Sequence, residues 1–202
     1  MRAFSEKFDR LIIIGASAGG IAAMRQLLAM LPEKLNCPIV AILHRMKNVD
    51  SKLDEVLQKF TRMPVHEISD KLPIEAGHIY VAPPNYHVHF EHGESVFSLS
   101  SDEAVNFSRP SIDVSMQSAA AFANSACLGI LLTGANCDGA QGLFNLHKLG
   151  ALTVIQDPEE AEVPRMPEAA MEILPLCPVL PLKLIAELIK EFDSGKIPQN
   201  EQ

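Results

Sequence analysis

The hydrophobic pattern of the chain opens with a continuous apolar run and then changes period. Residues 11–14 are four apolar residues, three of them β-branched, as in a short buried strand. From Ile21 onward, apolar residues recur every three or four positions, as on one face of a helix. The six residues between the two patterns, 15–20, are all small, as close approach of two backbones requires. This stretch predicts a strand that turns directly into a helix.

Later apolar runs predict the rest of a sheet. Residues 38–43 and 127–132 are nearly unbroken apolar runs, and 151–155 is a further strand. Residues 64–68 and 77–84 predict shorter strands, the second ended by prolines. Strands that are apolar throughout and alternate with helices are typical of a parallel sheet covered on both faces.

Helical spacing of apolar residues separates these runs. Ser51 fits a helix N-cap before an apolar stripe that reaches Phe60. Further helices are expected from 109 to 126, through Leu143 to Leu149, and from about 181 to 192. Residues 157–167 are expected to form a Pro- and Glu-rich loop, and the polar tail 194–202 to fray.

Residues 86–99 have a different pattern, because apolar and polar residues alternate on both sides of a His-Gly pair. This indicates an antiparallel hairpin with one solvated face, placed as an edge or flap on the main sheet. The predicted fold class is therefore α/β, a doubly wound, mostly parallel sheet with helices on both faces and a hairpin at about 86–99. A single domain is expected over residues 1–202, with its core at about 10–192.

Composition excludes several classes of function. A net charge of −8 over 202 residues argues against a nucleic-acid surface. No apolar run reaches the length of a membrane span, and the charged start of the chain does not resemble a secretory signal. The four cysteines form no C-x-x-C pair, so reduced thiols and a cytoplasmic location are expected.

The polar side chain in the first corner is Ser17. Gly15-Ala16-Ser17-Ala18-Gly19 fits the G-x-S-x-G turn that exposes a nucleophilic serine between strand and helix. By itself the match leaves two alternatives open: a loop that cradles a phosphate, or a plain packing corner.

Two more reactive side chains follow predicted strands, His44 and Asp138. Because the carboxyl ends of parallel strands share one edge of a sheet, Ser17, His44 and Asp138 should project together there. A nucleophile, a base and an orienting carboxylate are the parts of a hydrolytic triad. Asp138 could instead cap the helix that follows it, with Asp113 and Asp157 as rivals for the carboxylate role. Its neighbour Cys137 is expected to be a small buried residue.

Several motifs together resemble the catalytic domain of the chemotaxis protein-glutamate methylesterases. The similarity runs in order from about residue 10 to 192, and the chain order Ser, His, Asp also fits that family. The motifs are listed here in sequence order: Gly15 to Gly20, the strand that ends at His44, 77–83, Arg109-Pro110-Ser111-Ile112-Asp113-Val114, 132–143, Gln156-Asp157 and Met166-Pro167.

The resemblance implies hydrolysis of glutamate γ-methyl esters on the methylated cytoplasmic helices of chemoreceptors, and deamidation of receptor glutamines as a second reaction. It implies Ser17 as nucleophile, His44 as base and Asp138 as orienting group. Backbone N–H groups at Ala18 and Ala135 are the expected oxyanion donors. Arg45 and Arg109 are candidates for substrate binding, and no cofactor or metal ion is expected.

The chain also departs from the family pattern. Ala135 and Asn136 stand where the family has Met and Gly, and Asn136 is expected to keep the turn because Asn tolerates positive φ. Arg45-Met46 replaces the usual Met-Pro, and Ala18 replaces a frequent Thr or Ser. Ten residues precede Leu11, so the family's receiver domain is expected to be absent, leaving constitutive activity or control by a separate regulatory protein.

Two other functions stay open at this stage. The same triad could act on another ester or amide. Alternatively, the domain could be a non-catalytic adaptor that binds an anion at the glycine-rich turn. The second strand ends without the acidic residue that a dinucleotide-binding site needs for the ribose, which argues against a nucleotide.

Overall fold

The structure is a computed structural model that describes residues 8–45, 52–91, 93–123 and 126–196. Its strands are β1 Leu11–Ala16, β2 Ile39–Leu43, β3 Val65–Glu67, β4 Ile79–Val81, β5 His87–Glu91, β6 Val96–Ser100, β7 Cys127–Leu131, β8 Leu152–Gln156 and β9 Val179–Leu180. Its helices are α1 Gly20–Met30, α2 Leu53–Gln58, α3 Ile112–Ala123, α4 Ala140–Lys148, α5 Arg165–Ile173 and α6 Leu182–Asp193.

The main sheet of the described chain has seven strands in the order β3-β4-β2-β1-β7-β8-β9. Every pairing in it is parallel. The apolar side chains of β1 alternate between two cores: Leu11 and Ile13 face one, Ile12 and Ile14 the other. The first core includes residues of α3, α4 and α5, and the second includes residues of α1, α2 and α6. The doubly wound α/β prediction is confirmed.

The central strand β1 lies between β2 and β7, where the strand order reverses direction. Backbone pairing continues past the ends of these strands: His44 N–H donates to Ala16 O (3.2 Å), and Ser17 N–H donates to Thr133 O (3.0 Å). Ser17, His44 and Thr133 are thereby held at one level at the carboxyl edge. A sheet of this type opens a crevice at such a reversal.

The predicted hairpin exists as β5 and β6, but it is not an edge of the main sheet. The two strands pair with each other in a separate two-stranded sheet. Val88, Phe90 and Phe97 are buried, and Phe90 N–H donates to the Ser118 hydroxyl of α3 (2.9 Å). Burial of these apolar side chains against α3 explains why the hairpin packs on a helix.

Helix α5 and strand β9 lie where no element was predicted, and α5 overlaps the loop expected at 157–167. Pro164 and Pro167 favoured a loop in the sequence, yet they occupy the N-cap and the first turn of α5. Proline is tolerated there because the first N–H groups of a helix need no intrahelical partner. Ser51 and the tail beyond residue 196 lie outside the described residues. Among the described helices, none is long and apolar enough to cross a membrane.

Candidate active site

Ser17 lies in the tight corner between β1 and α1. Gly19 N-caps α1 at a φ of +78°, a conformation that glycine adopts without strain. A Cβ on Gly15 would lie 2.4 Å from Ile112 Cγ2, so close packing against α3 requires glycine there. The small residue at this position is therefore required by side-chain packing against Ile112 and Leu131, and not by the close approach of two backbones that the sequence predicted.

The imidazole of His44 lies between the other two predicted residues. Its Nδ1 is 3.1 Å from Ser17 Oγ, and its Nε2 is 2.7 Å from Asp138 Oδ2. An ionised Asp138 can only accept, so Nε2 carries the proton and Nδ1 presents its lone pair to Ser17. The structure thus brings the three side chains together in the tautomer that a general base needs.

Asp138 is fully buried and has five hydrogen-bond donors among the described residues. The donors are His44 Nε2 (2.7 Å) and Ile112 N–H (2.7 Å) on Oδ2, and Ser111 Oγ (2.9 Å), Asn106 Nδ2 (3.2 Å) and Asp113 N–H (3.2 Å) on Oδ1. Burial alone would raise the pKa of Asp138, but these donors outweigh it and hold the pKa below its ordinary value of 3.8. Asp138 is therefore ionised at neutral pH.

The rival carboxylates are used elsewhere. Asp113 Oδ1 accepts the N–H groups of Gly139 (2.9 Å) and Gly142 (2.6 Å) at the start of α4. Asp157 accepts the N–H of Glu159 (2.9 Å) in the turn after β8. Asp138 itself does not cap α4, because Gly139 is the N-cap residue and the side chain that accepts the N–H groups there is Asp113.

Asp113 is the carboxylate whose negative charge this arrangement disfavours. Burial and the neighbouring Asp138 charge raise the pKa of Asp113, although the Gly142 and Gly139 N–H groups oppose the shift. Two carboxylates in one buried cluster thus have pKa values shifted in opposite directions. The carboxylate that contacts His44 is the one whose charge is favoured.

The candidate oxyanion donors belong to two loops, Ala18 in the corner after β1 and Ala135 in the loop after β7. The N–H groups of Ala18 and Ala135 have no backbone acceptor among the described residues, and both residues are exposed. Thr133 links the two loops, since its hydroxyl donates to Ala18 O (2.9 Å) and accepts Val163 N–H (2.9 Å). Two N–H groups that lack backbone partners, on loops linked by the Thr133 hydrogen bonds, can donate hydrogen bonds to an oxyanion.

Asn136 does not have the positive φ expected for it. Its side-chain oxygen instead accepts the Asp138 N–H (3.2 Å), an Asx-type turn that shapes the loop without a left-handed residue. Cys137, expected to be buried, is exposed. The loop turns its side chain outward because Asp138, the next residue, takes the buried position.

The two arginines have different surroundings. Arg45 forms an ion pair with Glu67, donates to Ala82 O (3.2 Å), and its side chain is only 5% exposed. Arg109 donates to the carbonyls of Ser101 (2.6 Å) and Asp102 (2.8 Å). The buried Nε of Arg109 has no hydrogen-bond partner among the described residues.

Sequence reasoning missed the side chains that hold the triad from neighbouring loops. The Ser108 hydroxyl lies 3.3 Å from His44 Nδ1, and Asn106 and Ser111 donate to Asp138. Ser111 was marked by its place in the Arg-Pro-Ser motif. Asn106 and Ser108 had no comparable signal, because their approach depends on how a loop folds back.

A cavity of about 410 Å³ opens beside Ser17 and His44. It is lined by Ser17, Ala18, His44, Arg45, Phe107, Ser108, Arg109 and Pro110. No group of three or more His, Cys, Asp or Glu side chains in the described chain is placed to hold a metal ion. The arrangement has the nucleophile, base and carboxylate of acyl transfer, with space beside the nucleophile.

Comparisons with known proteins agree on one family. The family model described as CheB methylesterase matches residues 12–189. The chain is 43% identical over 188 residues to a Leptospira interrogans protein, provisionally named protein-glutamate methylesterase/protein-glutamine glutaminase, covering 93% of this chain and 97% of that one. A Hahella chejuensis protein-glutamate methylesterase/protein-glutamine glutaminase 1 is 37% identical, over 91% of this chain and 51% of its own length.

A solved structure also matches. The crystal structure of the Thermotoga maritima CheB methylesterase catalytic domain superposes with a TM-score of 0.86 and 27% sequence identity. The match covers 90% of this chain and 97% of that one.

Proposed function

The chain belongs to the CheB methylesterase family, and from this membership we propose that Ser17, His44 and Asp138 hydrolyse glutamate γ-methyl esters of chemoreceptors. It is a carboxylic ester hydrolase of the protein-glutamate methylesterase class. The single observation that supports the roles of these three residues is the pair of hydrogen bonds that joins Asp138 to His44 and His44 to Ser17.

In the acylation step, Ser17 Oγ attacks the ester carbonyl while its proton moves to His44 Nδ1, 3.1 Å away. The imidazolium that forms is stabilised by Asp138, which is ionised and 2.7 Å from Nε2. Asp138 stays a carboxylate throughout, because its other donors favour its charge. His44 then gives the proton on Nδ1 to the leaving methoxy oxygen, and methanol departs.

The tetrahedral intermediate places negative charge on the former carbonyl oxygen. The N–H groups of Ala18 and Ala135 are the proposed donors to it. Each such donor contributes on the order of 3 kcal/mol to the transition state. Thr133 supports this role, since its hydroxyl holds the carbonyl of Ala18 and so the Ala18–Gly19 peptide, which directly follows the donor N–H.

Deacylation repeats the chemistry with water. His44 Nδ1 removes a proton from a water molecule, whose oxygen attacks the acyl carbon bound to Ser17. Collapse of the second tetrahedral intermediate breaks the Ser17 ester bond, and Oγ recovers its proton from His44. The products are a glutamate carboxylate and free enzyme.

Substrate binding is proposed at the cavity rim. Arg109 lines the cavity, and its positive charge suits an acidic protein surface. Arg45 is ion-paired with Glu67, so its proposed part is to shape the rim. The methylated cytoplasmic helices of chemoreceptors are the proposed substrate, which would place the enzyme in the cytoplasm.

Deamidation of receptor glutamines is a second proposed reaction, supported by the glutaminase activity in the names of the relatives. The same attack by Ser17 on a side-chain amide would release ammonia in place of methanol, with His44 protonating the leaving nitrogen.

The test is methanol release from a methylated chemoreceptor cytoplasmic fragment by wild type and by Ser17→Ala. We expect release by wild type and loss of release in the variant. A fluorophosphonate, located by mass spectrometry, should label Ser17 in wild type and in Ser108→Ala. Ser108→Ala is the matched control because its hydroxyl also lies within 3.3 Å of His44 Nδ1.

Three results would contradict the proposal in different ways. Labelling of Ser17 without methanol release would leave a serine hydrolase with another substrate. Labelling of Ser108 would identify the other hydroxyl as nucleophile. Absence of labelling together with absence of release would favour a non-catalytic domain.

A further inference from the structure

A tight turn beside the active site presents an aromatic ring to solvent. Val105 and Ser108 exchange two backbone hydrogen bonds, N–H to O of 3.2 and 2.9 Å, around the two central residues Asn106 and Phe107. The side chain of Phe107 has a relative accessibility of 103%, so it makes no packing contribution within the described chain. Phe107 also lines the cavity that contains Ser17 and His44.

The backbone of this turn is unfavourable for the residues it contains. Both central residues have positive φ, +50° for Asn106 and +61° for Phe107, as in a type I′ turn. Asn suits the first position, but the second is ordinarily glycine, and a bulky side chain there is strained. A residue that is strained and fully exposed stabilises neither its turn nor a core, which points to a role outside the fold.

The turn is held in a fixed position relative to the triad. Asn106 Nδ2 donates to Asp113 Oδ2 (2.9 Å) and to Asp138 Oδ1 (3.2 Å). Ser108 Oγ lies 3.3 Å from His44 Nδ1. Phe107, between these two anchored residues, therefore has a defined place beside the nucleophile.

Two further exposed apolar side chains extend this rim. Val105 lies in the same turn and is exposed. Asn85 N–H donates to Arg109 O (3.3 Å), the residue that follows the turn, and the exposed Tyr86 is the next residue after Asn85. An exposed apolar rim that borders a catalytic cavity is typical of a surface that contacts a partner.

We infer that the 105–108 turn is a substrate-docking element, in which the Phe107 ring packs against an apolar side chain one helical turn from the methylated glutamate on the receptor helix. The inference rests on the proposed function. A glutamate ester can reach Ser17 only if its helix lies over the cavity that Phe107 borders. Residues three or four positions from that glutamate lie on the same face of the helix, within about 6 Å of it, and meet the rim.

The experiment compares wild type with Phe107→Gly on two substrates, a methylated chemoreceptor cytoplasmic fragment and p-nitrophenyl acetate. Glycine removes the ring and relieves the positive φ, which offsets the chain entropy that glycine adds to the unfolded state, so the variant should unfold within about 4 °C of wild type. The ratio of kcat/KM for the receptor fragment to that for the small ester should fall about tenfold, as for a truncated aromatic contact residue. The fall should come from a higher KM for the fragment.

Two controls make the result specific. Leu176→Ala removes another exposed apolar side chain. Leu176 precedes the parallel strand β9, so it lies toward the amino edge of the sheet, away from the carboxyl edge that holds Ser17. It should leave the ratio at the wild-type value. Alanine in the receptor fragment at the apolar position one turn from the ester should lower the ratio for wild type but have little further effect on Phe107→Gly.

An unaltered ratio in Phe107→Gly, with methanol release by wild type, would overturn the docking inference alone. An unfolding temperature for Phe107→Gly that falls by more than about 4 °C, more than the chain entropy of glycine accounts for, would also overturn it, because the ring would then stabilise the fold. Absence of methanol release by wild type would instead overturn the proposed function, and with it the receptor helix as occupant of the rim.

Discussion

Asp113 and Asp138 cap each other's helices. Asp138 accepts the N–H groups of Ile112 and Asp113 at the start of α3, and Asp113 accepts those of Gly139 and Gly142 at the start of α4. A carboxylate at a helix N-terminus is stabilised both by the unpaired N–H groups and by the helix dipole. The exchange locks the two helices together and fixes the Asp138 oxygen that His44 contacts.

Replacement of Asp113 by alanine should lower the free energy of unfolding more than replacement by asparagine, which removes only the charge. Asp113→Ala leaves two buried N–H groups unpaired, and we expect a loss of about 2 kcal/mol in the free energy of unfolding. Asp113→Asn keeps an acceptor oxygen and ends the repulsion with Asp138, so its loss should be at most half as large. Urea denaturation of both variants measures the two values. Equal losses would show that hydrogen bonding to α4 is not what Asp113 contributes.

The lowered pKa of Asp138 predicts a stability contribution that depends on pH in one direction. A folded pKa below the ordinary 3.8 means that the unfolded state binds the proton more tightly. The contribution is therefore fully present above about pH 5 and is lost as pH falls through the folded pKa. The difference in unfolding free energy between wild type and Asp138→Asn should shrink in acid.

The measurement is urea denaturation of wild type and Asp138→Asn at several pH values between about 6 and 3. As a control, Asp113→Asn is introduced into wild type and into Asp138→Asn. The raised pKa of Asp113 makes its contribution to the free energy of unfolding change with pH in the opposite direction from that of Asp138. The contribution of Asp113 decreases as pH rises through that raised pKa. A wild-type advantage over Asp138→Asn that stays constant to pH 3 would contradict the role assigned to the Asp138 hydrogen bonds.

The candidate triad could be predicted in part because Ser17 and His44 each follow directly on an apolar strand of a parallel sheet, whereas Asp138 lies seven residues after the end of β7 at Leu131. Strand ends indicated Ser17 and His44, but for Asp138 they left a helix cap and the rivals Asp113 and Asp157 open, and the roles of all three residues came from the resemblance to the methylesterase family. The residues that hold them were not predictable in this way: Asn106 and Ser108 approach His44 and Asp138 only because the turn folds back, a tertiary contact with no local signature. Cys137 was misjudged for a related reason, since burial of Asp138 turns the preceding side chain outward.

A methyl group at Gly15 should destabilise the corner that carries Ser17. The added Cβ would lie 2.4 Å from Ile112 Cγ2 and 3.0 Å from Leu131 Cδ1 in a close-packed core. Overpacking of this kind costs about 1–3 kcal/mol, so Gly15→Ala should lower the unfolding free energy by that amount. The double variant with Ile112→Ala should lose less than the sum of the two single losses, because the contacting methyl is gone. Strict additivity in thermal or urea denaturation would exclude this clash as the cause.

The Thr133 hydroxyl should act on catalysis through the Ala18 carbonyl that it holds. Thr133→Val keeps the shape of a side chain that is only 1% exposed, but leaves Ala18 O and Val163 N–H without the partners they have at 2.9 Å. Because the proposed donor, Ala18 N–H, is one peptide unit before this carbonyl, loosening the carbonyl should shift the donor and lower kcat about tenfold, while KM for the ester changes little. Thr133→Ser keeps the hydroxyl and loses the methyl group. It should have most of the wild-type kcat if the hydroxyl is what matters, and a low kcat if packing of the methyl group is what matters.

The measurements that separate these two explanations are steady-state kinetics on p-nitrophenyl acetate with all three proteins, and fluorophosphonate labelling rates as a second readout. If Ser and Val at position 133 lower kcat equally, the hydroxyl does not position the oxyanion site, and packing at the carboxyl edge of the sheet is what Thr133 supplies.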